Sequence, residues 1–273
     1  MVVQHNITSM NANRQLGIVN GNVAKATEKL ASGYRVNKAA DDAAGLAISE
    51  KMRSQVRGLT RASDNAQDGI SVIQTAEGAM DTQHQILQRA RELVVQAANS
   101  AVLNKSGTDS DFSKIQQELD QLTSEFNRIN DVTEFNKKKL LNGSYKSQYL
   151  QVGANSGQSI ILNISLVKMS SITVTSGKGS EITKKITDID SIIGKVSAQR
   201  AKLGAQQNRL EYTIKNDDNA AENLQAAESR IRDTDMAEEM TRYSKENILQ
   251  QAATSMLAQA NQATQGVLSL LNG

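Results

Sequence analysis

The chain has 273 residues, 3% of them aromatic and none of them tryptophan, which argues against a large core built on aromatic anchors. Proline is absent, where ordinary usage of ~5% would supply about a dozen, so long unbroken helices are expected. Cysteine is also absent, which excludes disulfides and thiolate metal sites, and a charge of +2 with acids and bases mixed lacks the basic stripe of a duplex-binding protein.

Apolar residues at 3,4 spacing dominate the pattern. Leu16, Val19, Val23, Ala26 and Leu30 predict a first helix that stops at Ser32-Gly33. A loop from Tyr34 to Asp42 follows, and its acids can cap a short helix from Ala43 to about Arg57. A long run then reads Ile73, Ala76, Met80, Gln83, Leu87, Ala90, Val94 and Ala97, broken by a polar loop from Asn104 to Asp111. Ser113 and Gln116 form a capping-box pattern for a helix carrying Ile115, Leu119, Leu122, Phe126 and Ile129.

The period then changes. Ile160, Leu162, Ile164 and Leu166 alternate, predicting a strand with one buried face; Leu150 and Val152 lie upstream across the turn-forming segment Gly153 to Gly157. Ile172 and Val174 predict another short strand, so a β-hairpin segment is expected over about 140–180. Helix returns with Ile186, Ile189, Ile193, Val196, Arg200, Leu203, Gln207, Leu210 and Ile214, in a register that continues through Ala221, Leu224 and Ile231. At ~1.5 Å per residue such a helix spans roughly 70 Å, the length of a rod. Met256, Ala260, Ala263, Val267 and Leu270 give a last heptad run. The fold class expected is mainly α: an elongated antiparallel helical bundle or coiled coil, N- and C-terminal helices paired, with a small β-hairpin segment in the middle of the chain.

The two ends point to assembly. Residues 249–265 are mostly Ala, Gln, Ser, Thr and Asn. A buried large aliphatic side chain contributes ~1.5–3 kcal/mol and alanine much less, against ~1–2 kcal/mol of backbone entropy per ordered residue. A lone terminal pair is therefore marginal and needs partners to cover Val2, Val3, Leu268, Leu270 and Leu271. The ends are expected to be mobile in the monomer and to order when many copies pack.

Several blocks resemble bacterial flagellin: Asn11 to Asn13, Glu28 to Asn37 (EKLASGYRVN), Ala40 to Ile48 (ADDAAGLAI), Asn65 to Ser71 (NAQDGIS), Thr75 to Ala79 (TAEGA), Leu87 to Leu93 (LQRAREL) and Thr133 to Asn136 (TEFN). Ala227 to Asp235 (AESRIRDTD), Leu257 to Gln262 (LAQANQ) and Val267 to Leu271 (VLSLL) continue the resemblance, which covers roughly 1–145 and 185–273. It implies that 1–45 and 234–273 form the inner coiled-coil core of a filament, and 46–233 an outer rod with its β-hairpin. Leu16, Val19, Val23, Leu30, Met256, Ala260, Val267, Leu270 and Leu271 are then the packing residues of that core. Only a short stretch joins the two halves, so the large variable outer domains of many flagellins are missing.

The resemblance also implies partners: other flagellin copies, an export chaperone on the C-terminal segment, the hook–filament junction proteins and the filament cap. Export would use the flagellar type III apparatus, and the protein would reside in the extracellular filament. The opening Met-Val-Val-Gln-His-Asn has neither the basic start nor the apolar run of a Sec signal. A host Toll-like flagellin receptor is a further implied partner, docking on Gln88, Arg89, Glu92, Leu93, Gln96 and Glu118. Arg89 suits a hot spot, being a long planar donor that also packs.

Other chemistry finds little support. His5 and His84 are the only histidines and lie far apart, with no metal-ligand spacing, and there is no glycine-rich phosphate loop. Asp41-Asp42 fits loop and helix capping better than an acid pair, and Lys137-Lys138-Lys139 reads as a solvated face. Asn163-Ile164-Ser165 matches a glycan acceptor pattern but falls in the predicted strand. No enzymatic activity, cofactor, metal, nucleic acid or membrane insertion is expected; no stretch reaches the ~18 apolar residues of a spanning helix. Two rival classes share some features. A coiled-coil signalling hairpin has similar heptads, but no strands at its fold-back point. A membrane-active translocator would need a Lys/Arg stripe that the C-terminal helix lacks.

Overall fold

A computed structural model describes residues 6–99, 103, 110–174 and 179–271, without the side chains of 179–180 and 264–271. The elements run α1 (Ile7–Ser32), α2 (Ala43–Ala98), α3 (Asp111–Val132), β1 (Glu134–Phe135), β2 (Lys138–Lys139), β3 (Gln148–Gln151), β4 (Ser159–Leu162), α4 (Gly179–Arg232) and α5 (Met236–Leu271). The mainly helical class with paired terminal helices and a small hairpin holds. The chain divides into two compact units, Met1–Ser54 with Glu222–Gly273, and Gln55–Ala221; α2 and α4 contribute to both.

α1 starts at Asn6, whose side chain accepts from Ser9 N, and ends where Gly33 turns left-handed at φ 74° and donates its N–H to Lys29 O. A side chain at that φ would be strained, so the Ser32-Gly33 stop has a backbone cause. Asp41 and Asp42 act as the loop reading required. Asp41 Oδ2 accepts from Asn37 N (3.2 Å) and Lys38 N (3.0 Å), and Asp42 Oδ1 accepts from Gly45 N (2.9 Å) at the start of α2.

The expected short helix ending near Arg57 is instead the first part of one 56-residue helix. With no proline to remove a ladder bond, a single glycine costs only ~1 kcal/mol and does not break it. Gly58 serves packing: a Cβ there would sit 2.8 Å from the Ala154 Cβ of the β3–β4 turn. Further along α2, Ala62, Ala66, Gly69, Ile73, Ala76, Met80, Gln83, Leu87, Ala90, Val94 and Ala97 form an unbroken buried 4,3 line. On α4 the buried line is stricter still. Ile182, Ile189, Val196, Leu203 and Leu210 recur every seventh residue, each 1% exposed or less. A repeat of seven is the seam of a coiled coil.

α3 is capped by Ser110, whose side chain accepts from Ser113 N, so the expected Ser113–Gln116 capping box does not form. Gln116 is used elsewhere. Its Nε2 donates to Ile172 O (2.9 Å) and its Oε1 accepts from Val174 N (2.7 Å). Asn127 Nδ2 donates to Met169 O (3.0 Å) and Asn130 Nδ2 to Val167 O (2.9 Å). The predicted strand at Ile172 and Val174 is therefore absent: both residues are buried, but Ile172 O and Val174 N are paired with the side-chain amide of Gln116 on α3. A buried peptide group needs a partner, and an amide side chain supplies donor and acceptor as well as a strand does.

β3 and β4 pair antiparallel in the register Gln148↔Leu162 to Gln151↔Ser159, placing Ile160 and Leu162 in the core. The alternating burial extends to Ile164 although the strand ends at Leu162. A smaller hairpin, β1–β2, was not anticipated; Asn136 (φ 47°) and Lys137 (φ 62°) form its two-residue turn. Asparagine tolerates such φ better than most residues, which is the signal that could have revealed it. The lysine run belongs to this hairpin, with Lys139 Nζ 2.9 Å from Glu134 Oε2.

Candidate assembly and recognition surfaces

In the unit holding both chain ends, α1 and α5 lie antiparallel. Asn6 Nδ2 donates to Ala260 O (3.0 Å), Ser9 Oγ to Asn261 Oδ1 (2.7 Å) and Gln250 Nε2 to Asn20 Oδ1 (2.8 Å). Near the other end of the pair, Thr234 N donates to Gly33 O (3.0 Å) and Arg35 N to Arg232 O (2.7 Å), beside a Tyr34↔Asp233 bridge. The Arg35 guanidinium donates to the carbonyls of Arg230 (3.1 Å) and Ile231 (2.7 Å), cations being favoured at a helix C-terminus. Two guanidiniums approach the Tyr34 ring, Arg232 at 4.6 Å and Arg53 at 5.9 Å from its centre, and Arg53 is paired with Glu228 at 3.0 Å. Periodicity carried no sign of this cluster, because most of its members sit in the loop after α1 and at the end of α4.

The seam between α1 and α5 is mixed in polarity. On α1, Ala26 is buried, and Leu16, Val19, Val23 and Leu30 are half-buried as expected. On α5 the inward line runs Glu239, Tyr243, Glu246, Gln250, Ala253, Leu257, Ala260. Met256, expected on this line, points away and is 61% exposed; Leu257 holds the inward place. Steric fit explains the shift by one residue: small Ala253 and Ala260 flank Leu257 and allow close approach. Val267, Leu268, Leu270 and Leu271 have side chains outside the described residues, as do Val2 and Val3 entirely. The outward faces carry large apolar groups as well. Ile7, Met10 and Ile18 on α1, with Met236, Met240, Ile248, Leu249 and Met256 on α5, are between 41% and 68% exposed. Met240, Ile248 and Leu249 share an open groove with Thr241, Ser244 and Lys245.

The other unit carries the LQRAREL block on α2. Gln88, Arg89, Glu92 and Gln96 are exposed there, and Glu118 is exposed on α3. Arg89 Nε and Nη2 both lie 2.9 Å from Glu118 Oε1, and Nη1 lies 3.3 Å from Glu92 Oε2. Hydrogen bonding and charge from Glu118, then Glu92, hold the guanidinium even more firmly protonated than usual. Leu93 departs from the expected surface: it is 2% exposed, packed in the core beside Val94. In this conformation its side chain offers nothing to a docking partner. Arg91, two residues from Arg89, pairs with Asp190 of α4 at 2.8 Å.

Among the described residues there is no group of three or more His, Cys, Asp or Glu able to hold a metal, and no helix long and apolar enough to cross a membrane. Two features stand out among the described residues: helices from opposite chain ends pair, and the pair leaves eight large apolar side chains exposed. This is the pattern of a subunit completed by other chains.

Comparison with known proteins agrees. The model of the bacterial flagellin N-terminal helical region matches residues 3–146, and that of the C-terminal helical region matches 186–271. A flagellin of Halalkalibacterium halodurans is 53% identical, covering 99% of this chain and 100% of that protein; one of Bacillus subtilis is 48% identical with the same coverage. The crystal structure of Bacillus cereus flagellin aligns with 28% identity and a TM-score of 0.49 over 56% of this chain and 88% of that one. The chain belongs to the bacterial flagellin family, a family of structural filament subunits.

Proposed function

We propose that this chain polymerises through the outward faces of α1 and α5 into the extracellular filament of a bacterial flagellum, for motility. The observation that carries the reading is the apolar set Met236, Met240, Ile248, Leu249 and Met256 turned outward while carboxylates of Glu239 and Glu246 are turned in. Burying one such side chain contributes ~1.5–3 kcal/mol, so repetition over many neighbours offsets the weak intrachain seam. In this reading 1–45 and 234–273 form the filament core and 46–233 the outer rod. An export chaperone covers the C-terminal segment during type III export, and junction and cap proteins bound the filament at its two ends. The test is elongation from short filament fragments. Wild-type monomer should extend them; a Met240→Lys, Ile248→Lys double variant, folded by circular dichroism, should not. Extension by that variant at the wild-type rate overturns the proposal.

A second reading rests on the Arg89–Glu118 contact, which joins two exposed groups of α2 and α3 into one polar surface with Gln88, Glu92 and Gln96. This surface is the docking face for a host Toll-like flagellin receptor. Its check is the affinity of monomeric Arg89→Ala and Glu118→Ala for the receptor ectodomain, and unchanged affinity in both ends the reading.

A further inference from the structure

The buried line of α4 does not stop at Leu210. One heptad further on, the same inward position is held by Asp217, 6% exposed. Its Oδ2 is buried and has no hydrogen-bond partner among the described residues. The Ser63–Asp218 hydrogen bond (3.1 Å) and the approach of Gly69 to Leu210 set the level of α2 that it faces, between Ala62 and Ala66. Both alanines are buried, and neither brings a polar side-chain atom to this level of the seam. Removing a carboxylate from water without a partner is costly, and the usual relief is to take up a proton.

Among the described residues no cation compensates Asp217. On α4 the positions one turn away, Thr213, Ile214, Ala220 and Ala221, are uncharged, and the adjacent ionisable group is the like-charged Asp218. On the facing turn of α2, Arg61 and Asp64 pair with each other at 3.6 Å. The β3–β4 hairpin reaches this part of α2 through Ala154 at Gly58 and Gln151 O at Asn65 (3.2 Å), and its one ionisable side chain, Tyr149, is exposed.

We propose that Asp217 is an acid-responsive clamp in the α2–α4 seam. Protonated, it is a small neutral group that the heptad line can bury, and the seam closes over the turns around Leu210 to Ala221. Ionised, it draws water towards the seam and loosens those turns. Burial and the Asp218 charge both push its carboxyl above the ordinary aspartate range. Such a group favours the folded seam most at low pH, and that favour is lost as pH rises through the raised value. Every copy in a polymer carries the same group, so mild acid would act on all of them together.

Hydrogen exchange on the full-length monomer tests this. After correction for the intrinsic rate, peptides spanning 59–70 and 207–221 should exchange several-fold more slowly as pH falls from neutral towards the aspartate range. Asp217→Asn and Asp217→Leu should show the slow rate at every pH, while Asp218→Asn should retain a response to pH. Carbon-detected titration of the Asp217 carboxyl should place its midpoint above that of exposed aspartates in the same chain. An ordinary midpoint, or an unchanged pH response in Asp217→Asn, overturns the proposal.

Discussion

Arg89 and Glu118 are 29 positions apart in the chain, yet two nitrogens of the guanidinium lie 2.9 Å from one carboxylate oxygen. Both side chains are about half exposed, so solvent and salt screen the pair, and exposed pairs of this kind contribute little to stability. We therefore expect Glu118→Ala and Arg89→Ala to leave the thermal unfolding midpoint of the monomer nearly unchanged. That makes them clean probes: a loss of receptor affinity in either would report on the surface and not on unfolding. A large drop in the midpoint would show the pair to be structural.

The buried amides of α2 and α3 should behave in the opposite way. Gln83 Nε2 donates to Asn130 Oδ1 (2.9 Å), and Asn130 Nδ2 donates to Val167 O (2.9 Å). Asn130→Ala strips a partner from both Gln83 and the Val167 carbonyl. Each unsatisfied buried group costs about 1–3 kcal/mol, so a loss of about 2–4 kcal/mol in urea unfolding is expected. Amide exchange over 163–174 should accelerate as well. Unaltered stability would mean that water replaces the side chain without loss.

Gly58 sets how closely the β3–β4 turn approaches α2. Alanine would improve helix propensity by ~1 kcal/mol, but its methyl would collide with Ala154, and overpacking typically costs ~1–3 kcal/mol. Gly58→Ala should be neutral to destabilising in urea unfolding, and Ala154→Gly on that background should recover stability. A clear stabilisation by Gly58→Ala alone would show the approach to be loose.

Asp41 supplies a pH dependence opposite in sign to that of Asp217. Backbone N–H donors of Lys38 and then Asn37 favour the ionised form and hold its carboxyl below the ordinary aspartate range. Its contribution is present above the unfolded value and is lost as pH falls through the depressed folded value. Asp41→Ala should therefore speed proteolysis of the 34–42 loop at neutral pH, with the difference from wild type shrinking in strong acid. Equal cleavage at neutral pH would show the loop to be held by other bonds.

How much of this was legible in the sequence depended on whether periodicity carried it. The α4 seam from Ile189 through Leu210 was readable, because apolar residues recurring at every seventh position form one stripe on a helix. The Ser32-Gly33 stop was readable because few residues other than glycine accept that φ. Leu93 was misplaced because it belongs to a surface motif in sequence and to the core in space; at one residue from Val94, a small rotation of the helix decides its face. Met256 and Leu257 were confused for the same reason. Ile172 and Val174 look like a strand, and only the facing amide of Gln116 shows that no strand partner is needed.

Composition and pattern alone determined that this protein is a set of long helices with weak ends and a short strand-rich middle. No proline interrupts the helices, alanine and glutamine limit what the ends can bury, and alternation marks the hairpin. Tertiary structure alone decided which groups meet. It brought Arg89 to Glu118, set Arg53 and Arg232 against the ring of Tyr34, and left Asp217 buried at the end of an apolar line. Periodicity is a local property of one helix, whereas polar contacts depend on the rotation and offset of two, and the chain carries that information only when it is folded.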